Sequence, residues 1–433
     1  MSASLFTSLS LGPLELPNRI VVAPMCQYSA DDGCANPVWH RQHWAQFAMS
    51  GAGLVVVEAT GVERIGRITH SCLGLYSDAC EAAMARELSA VKRLALPGTR
   101  FGIQLAHAGR KASAQRPWEG GKPLGQNEDP WPAVAPSAIP FDAGWHTPRA
   151  LDDAGIARVR EAFVAAARRA VAIGFDQVEL HMAHGYLLHE FLSPLGNQRT
   201  DGYGGSLENR LRFPLEVARA VRAAVPAHMA LGARITGTDW VEGGWTVEDA
   251  IVLASELSAS GLDFVCVSSG GIHGGLRVPV EPGYQVPLAT RIRQGSGIVT
   301  RAVGLIADAQ QAERIVAGGQ ADQVSPWLAP CSTIHAGSGT PLTASAPGSP
   351  THRNTPASPP PNGPAPASLA RTISPPCSKR RSSPLFPHVI AGLDPATHRA
   401  GAQTSAAWMP GSSPGMTARG RRGLMQAHRS REQ

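Results

Sequence analysis

Up to Val324, short apolar runs rich in β-branched residues recur along the chain. They are RIVVAP (19–24), LVVVEAT (54–60), FGIQLA (101–106), QVELH (177–181), MALGARI (229–235), FVCVSSG (264–270) and GIVTRAV (297–303). Each is too short for an ordinary helix and suits a parallel strand covered on both faces. Helical patterns lie between most of them. ARVREAFVAAARRAVAIG (157–174) spaces its apolar residues as a helix does and stops at a glycine, and LRFPLEVARAVRAAV (211–225) and VEDAIVLASELSASG (247–261) are similar. Seven strand–helix units, with an eighth strand starting near ADQV (321–324), predict an α/β fold of the (β/α)8 TIM-barrel type. An open doubly wound sheet is the competing arrangement, but no GxGxxG follows the first strand.

The pattern breaks after Val324. SPWLAPCSTIHAGSGTPLTASAPGSPTHRNTPA (325–357) has no strand periodicity, and Pro, Ser, Thr and Arg dominate it, the composition of a disordered tail. A closed barrel needs its eighth strand and helix here, and without them the sheet keeps open edges. The eighth strand and helix are therefore expected to be disrupted. Codon arithmetic suggests a cause. SPWLAPCS can be written TCG CCC TGG CTC GCG CCT TGC TCG, and reading from the third base gives A-L-A-R-A-L-L. Suitable codons continue this frame as D-D-P-R-W-E-W-H-A-A-H-R-L-G-A and then G-L-A-Y-P-P-Q-Y-A-R. The expectation is a frameshift after about Val324, with the stretch to Gln433 out of frame. A gene sequence with no recoverable second frame would refute it.

Composition sharpens this division. The 433 residues carry 39 Lys and Arg against 33 Asp and Glu, a formal net charge of +6. Eleven of the basic and two of the acidic residues follow Val324, so the preceding chain is slightly negative. A nucleic-acid partner would rest on the tail alone and is not expected. No apolar run reaches membrane-spanning length, and the start lacks the pattern of a signal peptide. The seven Cys form no CxxC pair, which suits a reducing compartment. A cytoplasmic protein without a membrane or nucleic-acid partner is the expectation.

In such a barrel, chemistry belongs at the C-terminal ends of the strands. Unusual residues gather there: Pro24 to Tyr28, Ala59 and Thr60, Gln104 and His107 to Lys111, His181 to Tyr186, Arg234, and Ser268 to Gly271. His181, His184 and His189 do not follow HExxH spacing, which disfavours a zinc site. Two imidazoles at one strand end can instead donate to a single oxygen that gains negative charge. Tyr186 adds a weak acid suited to protonating carbon. A carbonyl activated in this way needs hydride at its β-carbon. No side chain supplies hydride, so a redox cofactor is required.

The motifs NRIVVAPMCQYSA (18–30), VEATGVERIGRIT (57–69), IQLAHAGRKA (103–112), APSAIPFD (135–142), NQRTDGYGGSLENRLRF (197–213), PGYQVPLA (282–289) and AVGLI (302–306) together resemble the old yellow enzyme family. The likeness is to its bacterial branch with a cysteine in the first loop, and it covers residues 4–324. The resemblance implies an FMN-binding barrel over 1–324, incomplete at its end, followed by a tail over 325–433. It implies an FMN-dependent ene-reductase that takes hydride from NADPH or NADH and reduces the C=C bond of an enone or enal. Ala23, Pro24, Met25 and Cys26 would lie along the flavin ring, with Cys26 tuning its potential. Ala59 would allow close approach and Gln104 would meet the ring's alternating edge. Arg234 would place positive charge at its N1–C2 side, and backbone N–H groups near Gly304 would meet the phosphate. His181 and His184 would bind the enone oxygen, with Tyr186 or Tyr28 as the proton donor. Lys111 is read as a charge partner or a solvated surface lysine, and Arg301 as an aid at the phosphate or a variable position. The family also implies a homo-oligomer. The frame lost after Val324 would carry one Arg that grips the phosphate and another that reaches a neighbouring subunit. Weak FMN retention, or a non-catalytic remnant, is the alternative expectation for this chain.

Overall fold

The computed structural model describes residues 4–326. In chain order the barrel elements are β1 (Val21–Val22), α1 (Trp39–Ala48), β2 (Leu54–Gly61), α2 (Asp78–Lys92), β3 (Arg100–Ala106), α3 (Asp153–Ile173), β4 (Gln177–Met182), α4 (Leu207–Ala224), β5 (Ala230–Thr236), α5 (Val247–Ala259), β6 (Phe264–Ser268), α6 (Val286–Ser296), β7 (Val299–Val303), α7 (Ala309–Ala317) and β8 (Gln323–Ser325). All neighbouring strands pair in parallel, in sequence order from β1 to β8. The sheet closes where Ile20 bridges Val324 and Val324 N donates to Arg19 O at 3.1 Å. The eighth strand therefore forms at least as far as Ser325. The expected helix beyond it, the tail and the frameshifted segment lie outside the described residues.

The period-2 alternation of the strands separates two cores. In β4, Val178, Leu180 and Met182 face the helices and join the large core cluster, as do Phe101, Ile103 and Leu105 of β3 and Leu231, Ala233 and Ile235 of β5. The other parity points into the barrel. At its floor a hairpin of Leu9–Leu11 and Leu14–Leu16 packs Leu11, Leu14 and Leu16 on Val21, Leu54, Val56, Ala230 and Phe264. This apolar plug closes the N-terminal end and leaves the C-terminal end as the mouth.

The helices begin at side-chain caps. Ser77, Asp152, Ser206, Thr246 and Asp308 each accept from a backbone N–H in the first turn of α2, α3, α4, α5 and α7. Two helices start earlier than the apolar pattern predicted, at Asp153 and Leu207, because Asp152 and Ser206 set the start ahead of the first periodic residue. The first strand is shorter than RIVVAP. Pro24 has no N–H to donate, and the chain turns into the mouth loop there.

Candidate active site

Register decides which side chains reach the mouth. His181 pairs with Arg234 across β4 and β5, and Arg234 with Cys266 of β6. One layer deeper, Gln104 pairs with Glu179, and Arg301 with Gln323. At the rim, residues 23–26 are half-buried. Ala59 is the only residue of β2, and Arg234 the only one of β5, that is not buried. These positions mark a concave surface reached from solvent.

The exit of β4 is tightly constrained. His184 adopts φ +61° and Gly185 +69°. A Cβ on Gly185 would lie 2.1 Å from Gly271 O, and one on Gly271 2.6 Å from His184 O, so only glycine lets the exits of β4 and β6 meet. Lys111 Nζ donates to His184 O at 2.9 Å and to Gly271 O at 3.4 Å, joining the two turns. It also lies 4.9 Å from the centroid of Tyr186. Lys111 is therefore buried structural machinery of the site, not a solvated surface lysine.

Three rings converge there. The His181 centroid is 5.0 Å from that of His184 and 4.8 Å from that of Tyr186, both edge to face. Ala183 N donates to His181 Nδ1 at 3.2 Å, which leaves the proton of the neutral ring on Nε2. His184 Nε2 lies 2.7 Å from Ser268 Oγ, and His184 N donates to Thr236 Oγ1. Burial, and then the charges of Arg234 and Lys111, push the His184 pKa well below its ordinary value. His184 is thus neutral at pH 7. His189 is not part of this group: Gly185 N donates to its Nδ1, and its Nε2 faces Asp239 Oδ1 at 3.3 Å.

Cys26, Tyr28 and Tyr186 share one satellite apolar cluster with Ile68, Cys72 and several alanines. Tyr28 has φ +50°, and its ring meets Trp118 edge-on at 5.7 Å. The loop carrying them is anchored by Glu58, whose Oε2 accepts from Gln27 N at 2.7 Å. Asn36 N donates to His40 Nδ1, so His40 Nε2 carries the proton that faces Glu58 Oε1 at 3.3 Å. Pro24 and Met25 complete the loop, and Gln27 Nε2 donates to Met25 O. Gly304 follows β7 at φ +112°.

Two residues of the sequence reading lie in the polar layer below the mouth. Arg301 does not lie at the rim. It is fully buried inside the barrel, 2.8 Å from Glu179 Oε2 and 4.7 Å from the Phe264 ring centroid. Gln104 Nε2 is engaged by Glu179 Oε1 at 2.8 Å, so its donor serves the barrel interior. Glu58, Glu179, Thr236 and Trp118 were not singled out from sequence, and Ser268 was named only as a residue at the mouth. The two glutamates were visible as charges inside apolar strands, LVVVEAT and QVELH. No local signal marked Thr236 or Trp118.

The donor set suits a planar ligand edged with carbonyl groups. Arg234 Nε is buried without a hydrogen-bond partner, as are Ser269 Oγ and Gln285 Oε1. An orphan guanidinium N–H beside neutral imidazoles asks for an acceptor. Among the described residues no three His, Cys, Asp or Glu converge as metal ligands.

Comparison with known proteins gives the same direction. Residues 4–326 match the sequence model of the NADH:flavin oxidoreductase / NADH oxidase family. An NADPH dehydrogenase of Geobacillus thermodenitrificans is 43% identical over 326 residues, covering 75% of this chain and 89% of that protein. An NADH:flavin oxidoreductase of Gibberella zeae is 41% identical over 340 residues, covering 73% and 80%. Among solved structures, morphinone reductase aligns with a TM-score of 0.61 at 32% identity, covering 75% of this chain and 86% of that one.

Proposed function

The chain belongs to the NADH:flavin oxidoreductase / NADH oxidase family, enzymes that use FMN with NAD(P)H, and from that premise we propose that it reduces the C=C bond of α,β-unsaturated carbonyl compounds. The observation that carries this reading is the convergence of His181, His184 and Tyr186. Two imidazole N–H groups aimed at one oxygen would stabilise the negative charge that it gains as hydride arrives.

FMN, when bound, supplies hydride received from NAD(P)H and delivered to the substrate's β-carbon. Ala23 to Cys26 and Ala59 would line its ring, Arg234 would offer the orphan N–H and a positive charge, Gln104 its amide oxygen, and Gly304 backbone N–H groups nearby. Ala183 N donates to His181 Nδ1, so His181 would meet the substrate oxygen through Nε2–H. For His184 to donate from Nδ1, Ser268 must donate to Nε2. Ser268 is thus a positioning residue of the pair. Tyr28 and Tyr186 share one cluster, and either hydroxyl can deliver the proton to the α-carbon.

Product analysis tests the reading. With NADPH and 2-cyclohexenone under anaerobic conditions, the FMN-loaded protein is expected to form cyclohexanone. NADPH consumption only with oxygen or a quinone, with the enone recovered intact, would overturn the substrate assignment.

A second reading rests on where the likeness stops. The family match ends at residue 326, while the chain runs to 433. We propose that the sequence after Val324 is frameshifted, so that a phosphate-gripping Arg and a subunit-contact Arg are lost and FMN is held weakly. A purified sample with stoichiometric flavin would contradict this reading and leave the first one standing.

A further inference from the structure

We propose that Cys34 and Cys80 are a modification site, a dithiol pair that peroxides or thiol-specific oxidants close to a disulfide. Their Sγ atoms lie 3.9 Å apart. A disulfide needs about 2.05 Å, so the gap to close is about 2 Å. Among the described residues, both cysteines are reduced. Cys34 is partly exposed and Cys80 is buried, so an oxidant meets Cys34 first.

The surroundings hold the two sulfurs together. Asp31 and Cys34 exchange backbone hydrogen bonds of 3.0 and 2.9 Å, making a tight turn. Gly33, at φ +87°, lets this turn touch α2, since a Cβ there would lie 2.3 Å from Tyr76 Oη and 3.1 Å from Cys80 Sγ. Tyr76 Oη donates to Asp32 O at 2.9 Å. Cys80 sits in the first turn of α2, where the Ser77 hydroxyl donates to its sulfur at 3.1 Å. That hydrogen bond and the helix hold the Cys80 sulfur in place facing Cys34. Burial, and then the Cys80 sulfur and the nearby Asp32 and Asp31, push the Cys34 thiol up to about 11. The raised pKa lowers the thiolate fraction of Cys34, so closure is expected to be slow at neutral pH and faster as pH rises.

With peroxide the chemistry balances as follows. Cys34 becomes a sulfenic acid and one water leaves. Cys80 sulfur then attacks the Cys34 sulfur, the S–S bond forms, and the displaced hydroxyl leaves as a second water with the Cys80 proton. Two thiols lose two electrons and two protons, and peroxide is reduced to two waters. The bond would tie the loop that carries Cys26 and Tyr28 to the start of α2.

The test uses the full chain, treated with hydrogen peroxide or diamide, alkylated and digested with trypsin. Peptides 20–41 and 68–86 are expected to appear cross-linked, two hydrogens lighter than their sum. Each peptide holds a second cysteine, Cys26 and Cys72. C34S and C80S should therefore each abolish the cross-link, and C26S and C72S should retain it. Fragment ions of the wild-type cross-link make the assignment even where a buried-site variant fails to fold. Cys34 and Cys80 remaining alkylatable after Cys26 is fully oxidised, or a cross-link that survives C34S, would overturn the proposal.

Discussion

His181 and His184 meet edge to face because one ends β4 and the other occupies the left-handed turn that follows it. Each has one nitrogen already committed, to Ala183 N and to the Ser268 hydroxyl. If the other nitrogen of each ring donates to the substrate oxygen, as proposed, preorganised donors of this kind are worth about 10²–10³-fold each. His181→Ala and His184→Ala are therefore expected to lower kcat/KM for an enone by about that much. NADPH reduction of bound flavin should be much less affected, which stopped-flow measurement of the two half-reactions would show. The two tyrosines separate in the same way: the donor's Phe variant should lose about 10²–10⁴-fold in the oxidative half-reaction and the other's far less. The gathering of His181, His184 and Tyr186 at one strand end was legible from their spacing. The Ser268 contact was not, because it depends on β6 lying two strands away from β4.

At the scale of elements, two buried ionisable groups carry predictions. The short helix Leu187–Leu192 follows Tyr186 and buries Glu190, whose Oε1 accepts from Arg110 N at 2.8 Å. Burial outweighs the Arg110 charge and raises the Glu190 carboxyl to about 8. The folded protein then keeps a proton that the unfolded chain releases above about pH 4.5. Stability must fall as pH rises from about 4.5 to 8. Glu190→Gln should remove that fall, so the wild-type should lose more stability than the variant between pH 5 and pH 8 in denaturant titrations. On the acid side, His189 is held down to about 4 by burial, so both proteins should weaken as pH drops below 6.5. The second group is the Glu179–Arg301 pair inside the barrel. Arg301→Met strands a buried carboxylate and is expected to cost about 3–5 kcal/mol, read as a shift in denaturation midpoint. The order of strands and helices was visible in the apolar runs. The polar layer of Gln104, Glu179, Arg301 and Gln323 was harder to see, because a parallel strand covered on both faces reads as uniformly apolar until register brings its few charges together.

For the whole molecule, eight parallel strands close through Ile20 and Val324, and their C-terminal ends supply nearly every residue of the site. No helix among the described residues is long and apolar enough to cross a membrane. The change in composition at Val324 and the end of the family match at 326 fall within two residues of each other. Restoring the alternative frame after Val324 is expected to raise the flavin retained after gel filtration, measured by absorbance, whereas equal retention by both chains would remove the need for the lost segments. The central claim is tested most directly by the visible spectrum of the FMN-saturated protein, freed of unbound flavin and kept anaerobic. NADPH should bleach the yellow band, and cyclohexenone added afterwards should bring it back. A flavin that NADPH reduces but cyclohexenone leaves colourless would contradict the account.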